Sequence, residues 1–351
     1  PIKVLDAKKV ILTLADNTTN TITDSSRLST EEDYSAAIYS KEDLIINGNG
    51  TLNVNAGYRN GIKSTDDCII VSGTLNITST EDGIIGKDLC GVVAGDININ
   101  AGSDGIKSTY DTDTTKGNVI IEGGNITIKA SNDGIQAENI LVINDGTINI
   151  KTNNGAADTT QTHTDNMYMG RGGFGFNNNK TTTTTDDTAE SRKGIKAGNM
   201  LIINDGDITI DSDDDSVHCN SEIYIYGGVI NAATGDDGVH ADDLLTVNGG
   251  TINITQCYEG LEADDIVIND GDISVVSSDD GVNSSDGSIT INGGNLLINA
   301  SGDGLDANGS IIINGGYIGE DGNIVTNSSF NNSGFIPLEL DSTYRFISNG
   351  S

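Results

Sequence analysis

The sequence has no tryptophan, only two prolines, and 18 basic residues in a length of 351. Each shortage excludes something. Without tryptophan, any ring contact to a sugar must come from the 10 tyrosines or 5 phenylalanines, so no single aromatic is strong evidence of a glycan platform. Two prolines beside 45 glycines fit many tight turns rather than a disordered Pro/Gly tract. The 18 basic residues face 52 acidic ones, for a net charge of −34. Nucleic acid and anionic membrane both require a basic surface, so cations, or ligands that carry them, are the expected partners. No apolar run approaches the ~20 residues of a membrane span, and no membrane insertion is expected. No signal peptide precedes Pro1. The expectation is that one has been trimmed, leaving a monomer that is secreted or held at the cell surface.

Cysteine is also scarce. Four are present and no CxxC occurs, which argues against a thiolate zinc or redox site. Cys68 and Cys90 occupy the same slot in neighbouring repeats (DDCIIVSG, DLCGVVAG). Stacked strands lie ~4.8 Å apart, inside the ~4.4–6.8 Å window for a disulfide, so a bridge and two stacked thiols both fit. Cys219 takes a slot held elsewhere by Ala or Ser and is expected to be buried, whereas Cys257 has no evident partner.

What the chain has is a period. The stretch Asp236–Thr255, DDGVHADDLLTVNGGTINIT, recurs in variants throughout. Its glycine returns at Gly61, Gly83, Gly105, Gly134, Gly194, Gly238, Gly260, Gly281 and Gly304, with Ser216 in one slot. Repeats of this length mean a solenoid, one core lengthened by stacking. Within each repeat three short runs alternate apolar and polar, as in Val239/Ala241, Leu245/Val247 and Ile252/Ile254. Period-two alternation means strands with one face buried. The expected fold is therefore an all-β, right-handed parallel β-helix of about eleven rungs of ~22 residues, three strands per rung. Residues 1–35 are expected to cap it as a short strand pair, residues 36–322 to form the helix, and residues 323–351 to cap the other end. An insertion at 156–193, rich in Thr, Gly and Asn, interrupts it and is a candidate binding loop. Asn47, Asn144, Asn204, Asn248, Asn269, Asn292 and Asn314 are expected to form an amide ladder at one turn.

The informative surface is an acidic column before the repeat glycine: Asp82, Asp104, Asp133, Asp215, Asp237, Glu259, Asp280 and Asp303, doubled by Asp214, Asp236 and Asp279. Three residues on, an outward column reads Lys63, Lys107, Gln136, Lys196, His218, His240, Glu262, Asn283 and Asp306. Carboxylates ~5 Å apart repel by about 1 kcal/mol per pair in bulk water and several times that near a protein surface. Lysine can neutralise the first half, but none follows Lys196 and Arg345 is the only later arginine. Clustered oxygens without thiolates point to Ca²⁺. The plainer explanation, that Asp-Gly is a good turn dipeptide with solvated charge, accounts for isolated cases better than for Asp-Asp-Gly-x-His.

The Asp303-Gly-Leu-Asp306 element, with Asp279-Asp280 one rung earlier, resembles the calcium site of family 9 pectate lyases. The repeat over roughly residues 36–320, with the insertion's MYMGRGGFGF, more closely resembles a family of secreted bacterial carbohydrate-binding β-helices associated with calcium, acidic polysaccharide and cellulose. The resemblance implies that Asp280, Asp303 and Asp306 hold Ca²⁺, although Gly302 stands where the lyases have the first Asp of a doublet. Asp236, Asp237, Glu259 and Glu262 offer a second set, and Asp214, Asp215 and His218 a third. Those lyases use a lysine base downstream of the metal. Here none follows the best cluster, leaving Lys107, Lys196, Arg192 or Lys193, each more simply a charge partner of the acids. Lys107, Lys196, His218, His240, Tyr168, Phe174 and Phe176 are candidate ligand contacts, with Tyr224, Tyr226 and Tyr258 as outward rings.

Three functions fit. The first is calcium-dependent, non-catalytic binding of plant cell-wall polysaccharide, acidic polygalacturonate foremost and cellulose as well. The second is a calcium-dependent polysaccharide lyase using Lys107 or Lys196. The third is a calcium-stabilised scaffold or adhesin.

Overall fold

The computed structural model describes residues 1–25, 35–157 and 191–319. The 323–351 cap, most of the insertion, and Tyr168, Phe174 and Phe176 lie outside those residues. Alternating apolar positions become short strands, and stacking them buries each inward face. Eleven rungs run from Ala36–Ser40 to Tyr317–Gly319. The third strands of these rungs, with Thr19–Asp24 before them, make one 12-stranded sheet. The first and second strands, with Ile2–Val4 and Val10–Leu14 before them and merged into single strands at Val239–Val247 and Leu261–Ile268, make a 22-stranded sheet. Neighbouring rungs pair in parallel with like residues opposite one another, as in Ile97 beside Leu75 and Ile126. The chain is thus an all-β parallel solenoid.

The core follows from the register. Ile62, Ile84, Ile106, Ile135, Ile195, Val217, Val239, Leu261 and Val282 stack in one buried column. The turn after the second strand closes on Asn-Gly-Gly, whose second glycine takes a positive φ (+91° at Gly250), a region that a β-carbon disfavours. The asparagine ladder forms there in part, since Asn47 Oδ1 has no hydrogen-bond partner and Asn144 Nδ2 donates to Glu122 at 2.9 Å. Asn204 donates to Asn144 (2.7 Å), Asn269 to Asn248 (2.8 Å), Asn292 to Asn269 (2.7 Å) and Asn314 to Asn292 (2.7 Å).

The N-terminal segment is not a separate strand pair. Ile2–Val4, Val10–Leu14 and Thr19–Asp24 pair in parallel with the three strands of the next rung. Their inward residues supply an additional rung that lacks the Asp-Gly signal, so periodicity of that dipeptide could not reveal it. All four cysteines are free and buried. Cys68 and Cys90 are register partners, and burial pushes the Cys90 thiol up to about 12, which leaves it a poor nucleophile.

Candidate functional site

Between the third strand of one rung and the first strand of the next, each Asp-Gly turn sets a carboxylate beside the rung that follows. One oxygen of that carboxylate accepts the backbone N–H of the equivalent residue one rung on. Asp82 Oδ1 accepts from Asp104 (3.1 Å), Asp104 Oδ1 from Asp133 (3.0 Å), Asp133 Oδ1 from Lys193 (2.8 Å), Asp215 Oδ1 from Asp237 (3.1 Å), Asp237 Oδ1 from Glu259 (3.1 Å) and Asp280 Oδ1 from Asp303 (2.5 Å). These turns would otherwise bury unpaired N–H groups, each costing about 1–3 kcal/mol. Asp104, Asp133, Asp215, Asp237 and Glu259 are accordingly buried. The column read from sequence as an acidic surface is thus, over much of its length, an internal ladder that leaves its second oxygens for other partners.

Those partners differ between the two halves. In the first half Lys107 Nζ donates to Asp104 Oδ2 at 2.5 Å, and Lys196 Nζ reaches Ser191 Oγ at 3.2 Å. Residues 191–193, at the end of the insertion, are tied to the column. Ser191 Oγ donates to Asp133 (2.7 Å), Arg192 Nη1 to buried Asp213 (2.7 Å), and Lys193 Nζ to Asp214 Oδ1 (2.8 Å) and Asp215 Oδ2 (2.6 Å). Lys193 also fills the column slot itself, since its N–H takes the Asp133 carboxylate. Its ammonium is bonded to two of the three carboxylates, Asp214, Asp215 and Asp236, that lie close enough together to hold a metal.

Beyond Lys193 the register stacks Lys196, His218, His240, Glu262, Asn283 and Asp306 in one outward column. His218 is buried, with Nδ1 2.8 Å from Asp215 Oδ2 and Nε2 2.9 Å from Asn220 Oδ1. The His240 ring packs edge-on against it, 4.8 Å between centroids. Among the described residues, four groups bring potential metal-ligand atoms within 4.8 Å of one another. They are Asp215/His218/His240, Asp237/His240/Glu262, Asp214/Asp215/Asp236 and Asp43/Asp66/Asp67. Asp279, Asp280, Asp303 and Asp306 make no such group among those residues. The charges of Asp279, Asp306 and Asp303 nonetheless act on Asp280. The sequence reading missed the Asp43/Asp66/Asp67 group, although Asp43 and Asp67 each immediately precede register partners, Leu44 and Cys68.

Asp236, Glu259 and Asp280 hold protons tightly. Burial, then the charges of Asp215 and Asp214, raises Asp236 to about 7. Burial, then Glu262, raises Glu259 to about 8. Burial, outweighing the N–H of Asp303, raises Asp280 to about 6. For His240, burial alone would lower the value, but Asp215, with Oδ2 3.6 Å from Nδ1, and the charge of Glu262 carry it to about 9. The signs agree. The folded carboxyls bind protons that the unfolded chain, at about 3.9–4.3, has released, so they lose stability as pH rises from about 4 to about 8. The stabilisation from His240 is complete below about 6.5 and fades as pH rises through about 9. The melting temperature in chelator should therefore fall steadily from about pH 5 to about pH 9. A flat or rising profile by calorimetry would show that these groups are not strained in the fold.

Residues 1–238 and 236–334 match the family described as carbohydrate-binding domain-containing protein. A carbohydrate-binding domain-containing protein of Acetivibrio thermocellus is 38% identical over 81 residues, 22% of this chain and 28% of that protein. A solved structure described as the polysaccharide lyase-like protein from C. thermocellum, in a gadolinium derivative, is 35% identical. It covers 44% of this chain and 63% of that one, with a TM-score of 0.42. The match thus spans less than two thirds of either relative. Because the family match extends over most of the sequence, this chain belongs to the carbohydrate-binding domain-containing proteins.

Proposed function

We propose that the protein binds acidic plant cell-wall polysaccharide, polygalacturonate foremost, without cleaving it, through Ca²⁺ held on the C-terminal half of the acidic column. The observation that carries this reading is an imbalance. Glu259, Asp279, Asp280, Asp303 and Asp306 follow one another on rungs beyond Lys196, after which the sequence has no lysine. Burial first, and then the like charges of Glu262 at Glu259 and of Asp279, Asp306 and Asp303 at Asp280, raise both carboxyls, and a hard cation would relieve the like-charge part. These donors are all oxygen, the set that Ca²⁺ prefers. A bound ion would also offer coordination positions to sugar carboxylates, which the bare surface repels. Tyr224 and Tyr226 stack 6.4 Å apart on the outer face, with Tyr226 53% exposed, an aromatic pair suited to a neutral sugar ring such as those of cellulose. Such ligands lie outside cells, which accords with a secreted or surface location.

A lyase reading is less well supported. A base must accept a proton, and the ammonium of Lys107 is gripped by Asp104. Burial opposes its charge, but the charge and hydrogen bond of Asp104 prevail and hold it above its ordinary value. Calorimetric titration of oligogalacturonate separates the readings. Saturating heat in Ca²⁺ and none in chelator is the expected result. Undiminished binding in chelator would refute calcium bridging, and heat that continues with every injection would mean turnover.

A further inference from the structure

The histidine-bearing part of the column is a different kind of site. We propose that His240 Nδ1, Asp237 Oδ2 and Glu262 Oε2 form a three-ligand centre for a borderline divalent ion of the Zn²⁺ class. This centre is separate from the oxygen-only calcium positions and independent of any assumption about glycan.

The geometry carries the proposal. His240 Nδ1 lies 3.5 Å from Asp237 Oδ2 and 3.5 Å from Glu262 Oε2. Those separations exceed the 2.7–3.2 Å of an N–H···O hydrogen bond. They match instead the edge of a tetrahedron whose metal–ligand bonds are about 2.0–2.1 Å, which is about 3.3–3.4 Å. All three ligand atoms lie within 4.8 Å of one another. Without metal these are ion-pair contacts of the imidazolium, and a divalent ion would take the place of the Nδ1 proton among the three atoms, releasing it to solvent.

The ligands are also held in place. The Glu259 N–H fixes Asp237 Oδ1 at 3.1 Å, so the ladder that closes the rung aims the other oxygen at His240. Behind the ring, Nε2 is 3.6 Å from Asp242 Oδ1, beyond hydrogen-bond length, so Asp242 contributes a nearby negative charge rather than a bonded partner. His218 packs edge-on against the same ring. Asp215 Oδ2 is also 3.6 Å from Nδ1, but it already accepts from Lys193 at 2.6 Å and His218 at 2.8 Å. It therefore acts as a support for the ring rather than a ligand. Three protein ligands leave a fourth position, and the side chains of His240 and Glu262, 25% and 20% exposed, open that position to solvent. Imidazole nitrogen in the set selects against Ca²⁺, which takes oxygen ligands, and in favour of Zn²⁺ and its neighbours.

The test uses the whole chain, stripped of metal and titrated with Zn²⁺ alone in a background of millimolar Ca²⁺. One equivalent should bind despite the calcium. His240→Gln, which keeps the bulk of the side chain, should weaken Zn²⁺ by at least about 100-fold. Co²⁺ in place of Zn²⁺ should give the intense visible absorption of a four-coordinate ion, lost in His240→Gln. Melting of each variant in chelator shows whether it folds, and Glu262→Gln gives a second reading if His240→Gln does not. Loss of Zn²⁺ to competing Ca²⁺, unchanged affinity in a folded His240→Gln or Glu262→Gln variant, or a weak six-coordinate Co²⁺ spectrum would each overturn the proposal.

Discussion

Replacing Lys193 by methionine is expected to destabilise the protein by about 3–5 kcal/mol at neutral pH, the range for removing one partner of a buried ion pair. Lys193 Nζ donates to Asp214 and Asp215, and the Asp215 side chain is 2% exposed. Burial alone would raise Asp215, but the Lys193 charge and the His218 hydrogen bond hold it well below the usual carboxylate range. Methionine fills the volume of the stem and removes only the charge and its hydrogen bonds. The pH dependence is fixed by sign. A depressed carboxyl contributes stability above its unfolded value of about 3.9 and loses it as pH falls through the lower folded value. The gap between wild type and variant should therefore be widest near neutrality and narrow in acid. Without the ammonium, Asp214, Asp215 and Asp236 become an oxygen-only triad, so millimolar Ca²⁺ should recover part of the loss. Urea unfolding with and without calcium measures all three effects. A loss below about 1 kcal/mol at neutral pH, in the range of exposed pairs, would mean that this ammonium is only a surface ion.

Lys193 also shows where sequence reasoning stops. The repeat glycines, the aliphatic columns and the asparagine ladder were legible because each is a residue type recurring at one register position. Lys193 was read as part of the insertion because the low-complexity run ends at that point. It is in fact the residue before Gly194, in the slot that Asp133 and Asp215 hold on neighbouring rungs. The acidic column was legible as a column but not as a buried one. Asp-Gly in a sequence does not say whether a carboxylate oxygen meets water or the N–H of the next rung. His218 and His240 were legible as register neighbours. The 3.5 Å spacing of His240 to Asp237 and Glu262 depends on side-chain rotamers, which periodicity does not determine. The N-terminal rung was hidden for the opposite reason: it has the strands without the marker dipeptide.

The exception in the glycine column supports a second prediction. A β-carbon on Gly134 would lie 2.4 Å from Ile150 Cγ2 and 2.5 Å from the Gly194 carbonyl oxygen, and Gly105, Gly194 and Gly238 are closed in the same way by Ile128, Ile210 and Ile254. Ser216 carries a β-carbon in this column. On its rung the facing slot between Ile210 and Ile254 holds Ala232. Serine and alanine are thus a compensating pair, one side chain enlarged where the other is cut back. Ala232→Ile should then destabilise by about 1–3 kcal/mol through overpacking, and Ser216→Gly in the same chain should restore most of that loss. Residues in contact couple by about 0.5–3 kcal/mol in a double-mutant cycle, and a value near the upper end is expected here. Gly134→Ser, which adds the β-carbon against Ile150, should cost about 3 kcal/mol. At Gly304 nothing lies within 4 Å of a new β-carbon, so Gly304→Ala should stay within about 0.5 kcal/mol. Additive losses in the Ser216→Gly/Ala232→Ile variant would show that the column is set by the backbone contact alone. Rescue would show that the facing side chain decides which rungs must carry glycine.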